Sequence, residues 1–469
     1  MRCRAVALLL LLSACGPAPR AEPLSARAPE GVPDRSPSVL VIVTDDQRWD
    51  TLNVMPTVRA RIARHGVRLT RAYVTNPSCC PSRASMLTGD YSHTTGVWQN
   101  SGEHGGFTAF DDDSTLATWL EDAGYRTGLF GKYMNGYSPR AGYVPPGWET
   151  WFAIGEGFFY DYVALDVQEG SGRTVTFGDR PSDYSTRVLT RRARSFISST
   201  PTDTPFFAIV AYQAPHNPAT PDPRDVTAFQ DLQPHRPPSF DERNVADKPP
   251  YIRSLRRLSR ARERAVDDFR RDQLQSLLAV DRGVGRLLST LRHVGRLHDT
   301  MVIFTSDHGI QWGEHRWVAK GVPYEESIRV PLVVRFDALV AERNVRTASP
   351  VLGIDLAPTV AEIAGIPAPP VDGATFASLL VNPTATLRES FIVEHRATGE
   401  RRHPTFCAVR MGPWSFVRYY RDGVLTDIEL YDLASDPFQL RNRADSPSYA
   451  AIQAMLEAEA DALCVVPPV

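Results

Sequence analysis

Residues 38–44 (SVLVIVT) are apolar or β-branched without polar alternation, and two acids, Asp45 and Asp46, follow at once. Such a run predicts a strand buried on both faces of a parallel sheet, with the acids at its carboxyl end. Runs at 206–212 (FFAIVAY), 301–306 (MVIFTS) and 331–336 (PLVVRF) repeat the look. Between them, apolar positions recur with the period of an α-helix over 114–123, 182–197, 273–294 and 355–364. Strands alternating with helices predict an α/β layered sheet. Polar motifs follow the strands at Asp45-Asp46, His216 and Asp307-His308. Open α/β sheets bind ligands outside the carboxyl ends of strands, so these motifs can converge on one pocket. After about residue 385 the pattern changes to short antiparallel strands at 391–394, 408–410, 414–420 and 428–431. Gly412-Pro413 and Asp422-Gly423 read as turns, and a helix over 448–463 closes a small α+β subdomain.

Composition narrows the function. The formal charge of −2 gives no field for nucleic acid, and no nucleic-acid partner is expected. Lysine occurs only at 132, 248 and 320, against 49 arginines. A chain that otherwise uses arginine and keeps a lysine points to a required ammonium, whose proton can move where a guanidinium's cannot. Residues 253–271 hold eight arginines and three acids. They read as a solvated helix face, or as contacts for a polyanionic substrate.

The first residues read as an address. Arg2 and Arg4 precede a short apolar run, then Leu12-Ser13-Ala14-Cys15. This fits signal cleavage and resembles a bacterial lipoprotein box with Cys15 lipidated; the alternative is a plain secretion signal. The proline-rich stretch to residue 37 reads as a tether. The expected organisation is a signal peptide (1–14), a lipoprotein tether (15–37), a large α/β domain (38–385) and a C-terminal subdomain (386–469). The protein is expected outside the cytoplasm, touching membrane only through its lipid. Cys3 leaves with the signal, and a bond between adjacent Cys79 and Cys80 would be strained. Cys407 and Cys464 remain, as an exported disulfide or as two buried thiols.

Two adjacent carboxylates at a strand end repel unless a cation neutralises them, which suggests a hard divalent metal. Asp307-His308 adds an oxygen and an imidazole. The sharpest motif is Cys79-Cys80-Pro81-Ser82-Arg83, continuing Ala84-Ser85-Met86-Leu87-Thr88-Gly89. Here the chain resembles the type I sulfatase family, whose signature is Cys-x-Pro-Ser-Arg followed by an apolar pair and Thr-Gly. The resemblance extends over Thr44-Asp45-Asp46-Gln47, Gly124-Tyr125-Arg126-Thr127, Gly131-Lys132, Ala214-Pro215-His216, Thr305-Ser306-Asp307-His308-Gly309 and Gly313-Glu314-His315 through Lys320. Tyr324-Glu325-Glu326, Val330-Pro331-Leu332 and Glu429-Leu430-Tyr431-Asp432-Leu433 continue it. The Cys-Cys doublet, Tyr91-Ser92-His93 and Gly131-Lys132-Tyr133-Met134-Asn135 are most similar to the N-acetylglucosamine-6-sulfatase group.

The resemblance implies an alkaline-phosphatase-like fold, a large mixed β-sheet sandwiched by helices with a small C-terminal α+β subdomain. It implies that a formylglycine-generating enzyme oxidises Cys79 to formylglycine. One hydroxyl of the aldehyde hydrate would attack sulfur and the other would expel sulfate, splitting one hard step into two. The metal implied is Ca²⁺, with Mg²⁺ as the alternative. Its ligands would be Asp45, Asp46, Asp307, His308 and residue 79 itself, although many relatives carry Asn where this chain has His308. Arg83, at i+4 from Cys79, would brace the site if the motif opens a helix. Lys132 and Lys320 would hold the sulfate, His216 would serve as an acid near the leaving group, and His93 and His315 are further substrate contacts. Many arylsulfatase-like members have a His where this chain has Met134, so the base of the second step must lie elsewhere. The expected activity is hydrolysis of sulfate esters on a sulfated sugar or glycan, such as 6-O-sulfated N-acetylglucosamine. The alternatives are a phosphodiester or phosphonate hydrolase of the same superfamily and a non-catalytic glycan-binding lipoprotein. Specificity should reside in loops at 90–110, 135–180 and 213–250, with the 253–271 stretch adding anion contacts.

Overall fold

A computed structural model describes residues 36–168, 170–397 and 403–465. The signal, Cys15 and nearly all of the tether lie outside the described residues.

The Ser38–Thr44 strand is buried along its whole length. Successive side chains of a strand point to opposite faces. Val39, Val41 and Val43 accordingly enter one core with Met86, Leu120 and Val360. Leu40 and Ile42 enter a second with Val188, Leu277 and Leu288. The neighbouring Thr300–Ser306 strand divides the same way, Met301 and Ile303 to one side and Val302 and Phe304 to the other. Each fully buried aliphatic side chain contributes about 1.5–3 kcal/mol, so a strand apolar on both faces anchors both helix layers.

Among the described residues, ten strands form this sheet. At its centre Thr300–Ser306, Ser38–Thr44, Phe206–Ala211, Arg126–Lys132 and Thr150–Gly155 run parallel. Leu332–Arg335 pairs antiparallel with Thr300–Ser306, and Val163–Gln168 and Ser171–Thr176 continue antiparallel at the far edge, so the sheet is mixed. The 135–180 segment, expected as loop, thus supplies three strands. The helix expected over 273–294 is the second half of a 34-residue helix, Arg260–His293, which absorbs most of the arginine-rich stretch. It starts at Ser259, whose side chain accepts from the Arg262 backbone N–H.

The strands Ser390–His395, Thr405–Met411, Trp414–Arg421 and Val424–Asp432 form an antiparallel sheet in sequence order. The Ala450–Leu463 helix packs on it, and Cys464 just beyond is disulfide-bonded to Cys407, with Cα atoms 6.0 Å apart. This sheet reaches the larger one where the Glu394 N–H donates to the Thr75 carbonyl and His395 Nε2 meets Ser78 Oγ at 3.2 Å. No described helix is long and apolar enough to cross a membrane.

Candidate active site

Register brings the acids together. Thr44 pairs with Ser306 across parallel strands, so Asp45-Asp46 and Asp307-His308 emerge side by side. Asp46 turns into the left-handed region at φ 69°, which Asp tolerates better than most residues. Its backbone N–H donates to Asp307 Oδ1 at 3.3 Å. Lys132 ends a strand two places over. The preceding Gly131, at φ 127°, has no room for a side chain, because a Cβ would lie 1.9 Å from the Ala211 carbonyl oxygen. Gly309 likewise abuts the Glu326 carbonyl, with 2.2 Å to an added Cβ, which seats the turn after His308.

The cysteine motif opens a helix, Cys79–Thr88, buried along its whole length. Its N-cap, Ser78, gives its hydroxyl to His395 instead of to the helix, and Asn100 Oδ1 accepts the free Cys80 N–H at 2.8 Å. Cys79 Sγ lies 3.3 Å from both His308 Nε2 and Lys320 Nζ, and 3.8 Å from Asp45 Oδ1. One turn on, Arg83 donates through Nε to Asp307 Oδ2 at 2.9 Å, meets Asp45 Oδ2 at 3.3 Å and donates to the Lys132 carbonyl at 2.9 Å. The Lys132 ammonium pairs with Asp45, and Lys320 pairs with Asp46 at 2.8 Å. His308 Nδ1 is 3.2 Å from Asp46, and His216 Nε2 is 3.8 Å from it.

Burial raises the Asp45 carboxyl, but Lys132, His216, Arg83 and Lys320 outweigh it and hold the group well below the usual carboxylate range. Asp307 moves the other way, pushed up by burial and by Asp45. Burial also opposes ionisation of Cys79, yet Lys132 and Lys320 bring its thiol well below normal. The adjacent Cys80, buried and beside Cys79, is pushed up to about 12. Burial disfavours the charged form of His308, but Asp307 outweighs this and carries it up to about 9. His216 is raised in the same manner: burial and Lys320 lower it, Asp46 and Asp45 overcome them. Two adjoining cysteines are thus shifted in opposite directions.

Ligand atoms of Asp45, Cys79, Asp307 and His308 all lie within 4.8 Å of one another, and those of Asp45, Asp46 and His216 form a second such set. Carboxylate oxygens with one imidazole suit a hard divalent cation.

Two singled-out histidines stand apart. His93 binds Glu394 through Nδ1 at 2.9 Å and stacks on Tyr91. His315 is fully buried, bonded to Glu242 at 2.7 Å and stacked on Tyr324 at 4.2 Å. The ring is thus held between Glu242 and Tyr324 inside the fold. Sequence reasoning missed Phe158, which stacks on His216 with ring centroids 5.2 Å apart and planes 6° from parallel. It also missed Asn100. Both come from chain-distant loops, and no local pattern marks them.

Solved structures share this architecture. A protein solved in complex with its substrate D-glucosamine-2-N,6-O-disulfate superposes with a TM-score of 0.79 at 23% identity, covering 91% of this chain and 97% of that one. The chain belongs to the sulfatase family, whose family model matches residues 37–366. Residues 313–465 match a second model, described as N-sulphoglucosamine sulphohydrolase, C-terminal. N-acetylglucosamine-6-sulfatase of Capra hircus is 30% identical over 456 residues, 88% of this chain and 80% of that protein. The extracellular sulfatase SULF-1 homolog of Drosophila melanogaster is 31% identical over 385 residues, 78% of this chain. The chain spans about a third of that relative's length.

Proposed function

We propose that this protein is a sulfuric ester hydrolase that removes sulfate from a sulfated sugar or glycan, with 6-O-sulfated N-acetylglucosamine as the first substrate to test. The observation that carries the reading is the position of Cys79. It sits at the head of a buried helix, within 3.3 Å of one lysine and one histidine and beside the carboxylates of Asp45 and Asp307. The relatives named N-acetylglucosamine-6-sulfatase support the substrate class.

In this reading Cys79 is matured to formylglycine, whose hydrate supplies a hydroxyl nucleophile that a thiol cannot match for sulfate esters. Asp45, Asp46, Asp307 and His308 would hold Ca²⁺, which when bound supplies charge neutralisation and Lewis acidity. Arg83 fixes Asp45 and Asp307, so the carboxylates need not reorganise during the reaction. Lys132 and Lys320 present ammonium groups to the sulfate oxygens. His216, whose acidity is weakened by Asp46 and Asp45, is the group that would give a proton to the departing sugar oxygen. Residues 38–385 form the catalytic unit and 386–469 a C-terminal subdomain that meets it at Thr75 and Ser78. Export is through the N-terminal signal, with Cys15 as lipid anchor.

The test has two parts. Mass spectrometry of tryptic peptide 72–83 from protein exported by its native host should show formylglycine at position 79; an intact thiol removes the mechanism. Sulfate release from 6-O-sulfated N-acetylglucosamine should exceed hydrolysis of matched phosphate and phosphonate esters. The reverse order would assign the site to phosphoryl chemistry.

A further inference from the structure

A cavity of about 500 Å³ opens over the site, with Asp46, His216 and Lys320 on one wall. The opposite wall is a stripe of the Arg260–His293 helix. Arg262, Ala265, Val266 and Phe269 stand at i, i+3, i+4 and i+7, so they share one face. Below Arg262 the stripe is apolar and joins Ile310 and Val318.

Arg262 is the exception on that wall. Two nearby acids of the same helix are already engaged, Asp267 with Arg236 at 2.6 Å and Asp268 with Arg271 at 2.7 Å. Arg270 donates to the Gln233 carbonyl and lies over Trp312. Glu263 follows Arg262 directly, and residues at i and i+1 do not face each other. Arg262 makes no side-chain hydrogen bond or ion pair among the described residues; its one bond is the backbone N–H to Ser259. A guanidinium on the wall of a cavity, with no carboxylate to neutralise it, offers a planar fork to an anion from solvent. The ammonium of Lys320 across the cavity is already paired with Asp46.

Resting on the sulfatase reading, we infer that Arg262 is a specificity-determining residue that binds a second anionic group of the substrate, a sulfate or carboxylate carried next to the ester that is cleaved. The substrate class is therefore a sugar with at least two anionic substituents. The Val266–Phe269 stripe takes the apolar face of its ring, and Arg262 takes the second charge at the cavity rim. The part of the arginine-rich stretch that matters is this one side chain, because among the described residues it is the stretch's one arginine on the cavity wall.

The experiment separates binding from turnover. Full-length Cys79→Ala protein, which cannot complete the reaction, is titrated calorimetrically with three probes. These are N-acetylglucosamine 6-sulfate, glucosamine 2-N,6-O-disulfate, and a uronic acid–N-acetylglucosamine 6-sulfate disaccharide. At least one doubly charged probe should bind about tenfold more tightly than the singly charged one, and the arm that does so identifies the second anion as sulfate or carboxylate. Adding Arg262→Gln should bring that ratio to about one, Arg262→Lys should restore part of it, and Arg264→Gln, off the cavity wall, should leave it. The preference should shrink as salt is raised, since the contact is exposed. Equal affinities for all three probes, or a preference that survives Arg262→Gln, overturns the inference. A preference that behaves as expected in a wild-type protein that releases no sulfate would sink the proposed reaction and leave Arg262's role standing.

Discussion

Asp45, just beyond the Ser38–Thr44 strand, and Glu429, in the Val424–Asp432 strand, are both 0% exposed, and they are satisfied by opposite chemistry. Asp45 faces Lys132 and Arg83, permanent cations that hold it ionised. Glu429 faces three phenols. Tyr324 donates to it at 3.1 Å from the catalytic layer, and Tyr419 and Tyr431 donate from its own sheet. Burial pushes the Glu429 carboxyl up, with Lys248 and the tyrosine hydroxyls only partly opposing this. Neutral hydroxyls supply its direct hydrogen bonds, and they come from both layers, so the second cluster joins the two. Around Asp45 fixed cations crowd a shared set of acids beside a cavity, so the first cluster attracts an anion. Buried charge alone does not mark a catalytic centre; the sign and openness of its partners do.

The largest expected effect is on turnover. Cys79→Ala should lower sulfate release at least about 10⁴-fold while the melting temperature stays within a few degrees, because the change removes the nucleophile and little packing. Asp45→Asn should cost about 10²-fold or more in kcat, since an amide cannot balance Lys132 and Arg83, and circular dichroism should report a folded chain. At the other cluster the ranking reverses. Glu429→Leu should destabilise by about 3 kcal/mol in urea titration, because three buried hydroxyls lose their acceptor, while KM of the folded fraction holds. Glu429→Gln should cost only about 1 kcal/mol, since a neutral acceptor suffices there. An Asp45→Asn enzyme of full activity, or a Glu429→Gln protein that unfolds, would erase the contrast.

A smaller effect tests a third carboxyl. Glu326 is buried, and burial together with the nearby Glu314 pushes it up to about 8. A raised folded-state value means the native state holds its proton longer than the unfolded chain. Its contribution to stability is therefore intact below about pH 4.5 and is lost progressively as pH rises to about 8. Glu326→Gln should match wild type at pH 4 and gain stability, of the order of 1 kcal/mol, by pH 8. Thermal melts across that range read the difference, and a flat difference would deny the burial effect.

Much of this was legible in sequence where the signal is local. An unbroken β-branched run with acids at its end identified the Ser38–Thr44 strand and its cargo. The Cys79 motif was legible as a motif, and the condition set on Arg83, that the motif open a helix, is met by Cys79–Thr88. The direction of Leu332–Arg335 was not legible, since an apolar run looks the same read either way along the sheet. Ser171–Thr176 escaped because an exposed edge strand needs no apolar pattern. The arginine-rich stretch reads as a helix face, but that it runs unbroken into the 273–294 pattern as the Arg260–His293 helix was not legible, because the arginines hide the apolar period. Asn100, Phe158 and the enclosure of His315 depend on loops brought together from far along the chain, which only the folded backbone reveals.

The scarcity of lysine has a practical consequence. Lys248 is sealed against the Leu440 carbonyl, and the side chains of Lys132 and Lys320 are 9% and 17% exposed. A protease that cuts only after lysine therefore finds no peptide bond on the native surface. Its rate of cleavage at 132 and 320 becomes a clock for the opening of the catalytic layer, readable in crude extract without any substrate.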